Sequence, residues 1–102
     1  MESALSELSP SRRRSKLEIY IDVLRIIKRG VNKPTRVMYA ANISWKPLIE
    51  ILANLERQGL VERKTVRNST LVFITEKGKR VLRTLETLSA EFSASRGSGV
   101  HV

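Results

Sequence analysis

Between Lys16 and Arg29 the apolar residues fall on two adjoining faces of a helix. Leu17, Tyr20, Leu24 and Ile27 share one face, and Ile19, Val23 and Ile26 the other; Glu18, Asp22, Arg25 and Arg29 make the polar side. That arc is wider than the stripe of an ordinary surface helix, so it predicts cover from two directions, the domain itself and a partner. Ser15, with Glu18 three positions on, makes a capping box at the start, and Gly30 stands where a helix-ending glycine belongs. A short second helix opens at Pro34 or Thr35, sets Val37 and Ala41 one turn apart with Ala40 beside them, and ends at Asn42, which tolerates left-handed backbone. Ile43 points inward from the turn, and Ser44 carries an oxygen able to cap the next helix.

The third helix, about Trp45 to Gln58, places Leu48, Ile51, Leu52 and Leu55 at core spacing, with Lys46, Glu50, Ala53 and Arg57 opposite. Trp45, Lys46 and Pro47 fill its first turn, where backbone N–H groups have no intrahelical partner and a proline loses little. The N–H of Lys46 is then the expected donor to Ser44. Because a residue before proline is pushed from helical angles, the start is defined only to within a residue or two. Gly59 closes the helix. LVERKTV and TLVFIT read as strands joined at Arg67-Asn68-Ser69, with Leu71 and Phe73 on one face and Val72 and Ile74 on the other. Thr75 caps a last helix from Glu76 to about Ser95. In it Val81, Leu85, Leu88 and Phe92 follow coiled-coil spacing. This seam has no evident partner in a domain that looks complete before it, which predicts a homodimer; packing within the domain is the alternative.

The order of elements is that of a winged helix-turn-helix. The predicted class is mainly α with a small β-hairpin: a winged domain over residues 16–75, then a long C-terminal dimerisation helix over 76–95 that forms a coiled coil. Residues 1–15, rich in Ser and holding Arg12, Arg13 and Arg14, are expected to form a disordered basic arm, and 96–102 a flexible tail. The residues at the helix crossing, Ala41, Ile43, Leu48 and Ile51, are small or apolar, as close approach requires.

Charge gives the pattern a direction. Among 102 residues, 19 Lys and Arg face 10 Asp and Glu, a net +9 that predicts a polyanionic partner. In a helix-turn-helix the second helix enters the major groove, its N-terminal residues nearest the bases. Ser44, Trp45 and Lys46 are therefore candidate contacts to double-stranded DNA. Glu50 either accepts from a cytosine or repels the backbone, and Arg57, further along, reaches only phosphate. Arg36 on the short helix is counted with them. Arg63, Lys64 and Arg67 form a basic wing for the backbone or a minor groove, and Arg12, Arg13 and Arg14 add phosphate contacts. Trp45 either packs the helix entry or lies on a sugar-phosphate edge, and its angle beside the core stripe favours packing. RNA stays open as a further partner.

Other classes recede. There is no cysteine, hence no disulfide or thiolate chemistry. No apolar run approaches the ~20 residues of a membrane span, and the N-terminus lacks the apolar core of a signal peptide, so a cytoplasmic, nucleoid-associated protein is expected. His101, the sole histidine, lies in the tail and is expected to be solvated. With no phosphate loop, nucleophile–base pair or metal-ligand spacing, no enzyme, cofactor or metal is expected. The rival is a winged domain used for protein assembly, with an incidental basic face.

KLEIYIDVLRIIKRG, TRVMYAANISWKPLIEILANLERQGLV and FITEKGKRVL, within residues 16–82, resemble the small archaeal winged-helix DNA-binding proteins with a C-terminal antiparallel coiled coil. The most specific stretches are TRVMYAANISWKPL and TEKGKRVL. The resemblance implies a homodimer joined by the last helix, of chromatin or regulatory type. It puts Lys46 with its neighbours, and Arg67, in DNA-contacting segments. The short coiled-coil stretch and the Arg-rich arm depart from that pattern.

Overall fold

Three helices in succession end on the same backbone device. The first, α1 (Lys16–Lys28), begins with the predicted capping box: the Glu18 N–H donates to Ser15 Oγ at 3.1 Å, and the Ser15 N–H donates to Glu18 Oε1 at 2.8 Å. It ends at Gly30, whose φ of 106° lets the Gly30 N–H reach the Ile27 carbonyl and the Val31 N–H the Ile26 carbonyl. α2 (Pro34–Ala41) ends likewise at Asn42, with φ 58° and ψ 49°, the Ile43 N–H turning back to Met38. α3 (Trp45–Arg57) ends at Gly59, with φ 75° and the Leu60 N–H on the Leu55 carbonyl. Each time the left-handed residue is succeeded by an apolar one that folds inward.

This computed structural model describes the backbone of residues 14–100 and the side chains of residues 14–91. Arg12, Arg13 and His101, and the side chain of Phe92, lie outside the described residues. β1 (Val61–Val66) and β2 (Ser69–Ile74) pair antiparallel, from Val61↔Ile74 to Val66↔Ser69. The turn is two residues, not three: Arg67 and Asn68 have φ of 51° and 66°, and Ser69 already belongs to β2. A two-residue turn with both φ positive matches the right-handed twist of its strands. Asn32 stitches the α1–α2 loop to β2, accepting from the Val72 N–H at 2.9 Å and donating its amide to the Val72 carbonyl at 2.8 Å.

The core gathers Val23, Leu24, Val37, Leu48, Leu52 and Leu55 with Val72 and Leu82, all essentially solvent-free. α1 packs on α2, β2 and α4 (Glu76–Val100), and Val23 and Ile26 are buried within the protomer. Two expectations are corrected here. The second apolar face of α1 is covered by this chain's own elements, not by a partner. Nor is the domain complete before α4: Leu82, one position off the predicted seam, is core, while Val81 and Leu85 are half-buried against it. A two-stranded wing is too small to cover α1 alone, so α4 crosses back over it. Leu88 is 54% exposed.

α4 enters through a tight joint. Thr75 Oγ1 accepts from the Gly78 N–H at 2.9 Å, the predicted cap, and donates to the Gly59 carbonyl at 2.7 Å. Gly78 lies so close to the segment joining α3 to β1 that a Cβ there would strike the Leu60 carbonyl oxygen and come within 2.7 Å of Ile74 Cγ1. The helix runs past Ser95, the expected end, through Gly97 and Gly99. No proline interrupts it, and each glycine costs an established helix only about 1 kcal/mol. Among the described residues no helix is long and apolar enough to cross a membrane.

Candidate nucleic-acid interface

The Asn42 turn presents the N-terminal end of α3 outward. Ser44 to Pro47 are exposed, while Leu48 behind them is solvent-free. Ser44 is the N-cap residue, φ −83° and ψ 170°, but its side chain makes no capping hydrogen bond. This corrects the expected bond from Lys46. The usual donor to a cap oxygen is the N–H of the third helical residue, and here that residue is Pro47, which has none. The helix end therefore keeps N–H donors and partial positive charge free for an outside acceptor.

Trp45 is 47% exposed, not packed away as its angle suggested. It lies one turn ahead of Leu48, where α3 has run beyond the edge of the core. Tyr39 on α2 is 77% exposed. It was not among the predicted contacts, although its place midway between Val37 and Ala41 puts it off the core face and could have revealed it. Lys46 and Glu50 are exposed on α3 as expected.

The remaining cations differ in freedom. Arg57 donates to the Asn54 side chain, which in turn donates to the Tyr20 hydroxyl at 2.7 Å. Arg63 pairs with Glu56 at 3.0 Å, tying the wing to the end of α3. Lys64 sits 5.4 Å from the Phe73 ring centre and 4.0 Å from Glu62. These contacts are solvent-exposed and weak, so they orient the side chains without withdrawing them from a ligand. Arg67 stands at the wing tip, exposed. Arg36 lines an open cleft of about 320 Å³ with Lys33, Asn32 and Leu71.

Arg14 departs from its expected place in a free arm. Its guanidinium donates to Asp22 at 2.6 Å and to the Ala41 carbonyl at 2.7 Å, and its side chain is only 17% exposed. Ser15 beside it is the cap of α1, so residues 14 and 15 belong to the folded domain. Among the described residues no three His, Asp or Glu side chains gather in a way that could hold a metal ion.

Known proteins share this architecture. A family model described as winged helix-turn-helix matches residues 13–92. An uncharacterized protein of Methanocaldococcus jannaschii is 33% identical over 76 residues, which cover 74% of this chain and 74% of that one. The structure of Sso10a-2, a DNA-binding protein from Sulfolobus solfataricus, superposes with a TM-score of 0.70 at 27% identity, covering 87% of this chain and 97% of that one. The transcriptional regulator BldR, also from Sulfolobus solfataricus, superposes with a TM-score of 0.72 at 18% identity, over 79% of this chain and 60% of its own, and so shares the fold. The family match over most of the chain, and a fold in which α2, α3 and the β1–β2 wing take the corresponding places, lead to one conclusion: this protein belongs to the winged helix-turn-helix family.

Proposed function

We propose that this protein is a homodimeric binder of double-stranded DNA, a transcription regulator or chromatin-type protein, with α3 in the major groove and the β1–β2 wing on the backbone or in a minor groove. The observation that carries the proposal is the N-terminal end of α3. It is uncapped and exposed, offering Ser44, Trp45 and Lys46 from a helix whose opposite face is locked into the core. Uncapped helix ends suit anions, and N-terminal residues of such a helix reach base edges. Net charge of +9 and the cations Arg36, Arg57, Arg63, Lys64 and Arg67 supply backbone attraction, to which Arg12 and Arg13 add by their place in the sequence. Leu88, exposed beyond the half-buried Val81 and Leu85, supports pairing of α4 with a second copy, Phe92 continuing the same spacing. Such a dimer sets two recognition helices on one duplex, so that the second contact strengthens the first.

Affinity for duplex DNA measured against salt tests the proposal. With six to ten phosphate contacts per dimer, about 10³–10⁵ in affinity is lost between roughly 50 and 200 mM salt. A flat response sinks it and favours a protein-assembly role, for which the exposed Tyr39 and Trp45 would serve as the contact surface. Leu88→Asp tests the dimer: a carboxylate in a buried seam leaves a monomer by sedimentation, and a parent chain already monomeric rejects the seam.

A further inference from the structure

We infer that Arg14 and Asp22 form a bracket that positions the α2–α3 turn for DNA and couples it to α4. The inference rests on the DNA-binding function proposed above. Ala41 and Asn42 end α2, where carbonyls without helical partners collect partial negative charge. Arg14 reaches across the fold to this place: Nη2 donates to the Ala41 carbonyl at 2.7 Å and approaches that of Asn42 at 3.4 Å, while Nη1 is held by Asp22 at 2.6 Å. Its Nε is buried, with no hydrogen-bond partner among the described residues. An arginine serving phosphate would keep its fork in water, whereas both terminal nitrogens of this one are drawn in and held by the fold.

The anchor extends further. The other oxygen of Asp22 lies 3.6 Å from Arg25 Nη1, and Arg25 Nε donates to Glu86 on α4 at 2.8 Å. Charges therefore alternate, Arg14, Asp22, Arg25, Glu86, from the recognition turn across α1 to α4. One exposed pair contributes little, but Asp22 is shared. Without it two cations face each other with no anion between them, Arg14 loses its anchor, and the turn loses the support that sets where Trp45 and Lys46 point. Arg14 and Asp22 are thus positioning residues, acting through the turn without touching DNA.

The test is Asp22→Asn in the full chain, which keeps the side-chain shape and raises the net charge of +9 by one. Charge alone predicts tighter DNA binding. The bracket predicts the opposite: affinity for a short mixed-sequence duplex falls about tenfold. Amide exchange quickens at Asn42 to Ser44 but not in the middle of α1 or α3, as a general loss of stability would require, and the emission of Trp45, the sole tryptophan, shifts. Arg14→Ala lowers affinity similarly while the salt slope stays that of the parent, and Arg14→Lys, keeping charge and one donor, recovers part of it. An affinity unchanged or raised by Asp22→Asn overturns the inference. So does a salt slope reduced in Arg14→Ala by about 0.9 per lost contact, which would make Arg14 a phosphate ligand. A parent chain that binds no duplex defeats the DNA function, and exchange at the turn then decides the bracket by itself: unchanged exchange in Asp22→Asn rejects it.

Discussion

The two ends of α3 are built on opposite plans. The C-terminal end is closed by the chain itself. Gly59 turns the backbone, Lys77 Nζ donates to the Gln58 carbonyl at 3.0 Å, Thr75 Oγ1 takes the Gly59 carbonyl, and the Thr75 N–H takes that of Leu60 at 3.0 Å. Gly78 then brings α4 against the backbone of Leu60 with no side chain of its own between them. The N-terminal end has no side-chain cap and exposes Trp45 and Lys46, and its turn is steadied from outside by Arg14. The difference teaches where stability and recognition reside. Carbonyls at one end are satisfied internally and hold the domain together, while donors at the other stay free for an acceptor the chain does not provide.

Five substitutions test this contrast, in falling order of effect. Leu48→Ala, at the N-terminal end but on the core face, should lose about 2–5 kcal/mol in denaturant unfolding; a loss as small as that of its exposed neighbours would mean the helix is wrongly phased. At the closed end, Gly78→Ala should lose ~3 kcal/mol, because the clash is with the backbone oxygen of Leu60 and cannot be relieved by a rotamer change. A thermal melt unchanged by Gly78→Ala would show that the joint is looser than its geometry. Thr75→Ala removes a working cap and should lose ~1 kcal/mol. Ser44→Ala and Lys46→Ala, at the open end, should each stay within about 0.5 kcal/mol of the parent in stability. Lys46→Ala should nonetheless weaken DNA binding. If Ser44→Ala destabilises as much as Thr75→Ala, the contrast between the two ends is broken.

Much of this was visible from neighbouring residues alone. Ser15 and Glu18 cap α1 because their partners are three positions apart, and Gly30, Asn42 and Gly59 end helices because each can adopt left-handed backbone. The stripe of Leu48, Ile51, Leu52 and Leu55 is a matter of helical period, and all four are buried. Ser44 stands at the cap position without a capping bond: Pro47 lacks the N–H of the third helical residue, and the N–H of Lys46 does not take its place.

Contacts between distant parts of the chain lay beyond the reach of neighbouring residues. Val81 and Leu82 are equally apolar, and only the crossing of α4 over α1 put Leu82 inside and left Leu88 out. Arg14 reads as one of three basic residues in a row, yet Asp22 and the carbonyl of Ala41 took it out of that arm. The sequence by itself determined the order of elements, the stops between them and the inward face of α3, because these arise from hydrogen bonds and periodicities spanning a few residues. Tertiary structure alone decided which faces of α1 and α4 are covered, which arginine is withdrawn and which aromatics stay in water. Those outcomes depend on where elements far apart in the chain meet, and no local pattern carries that distance.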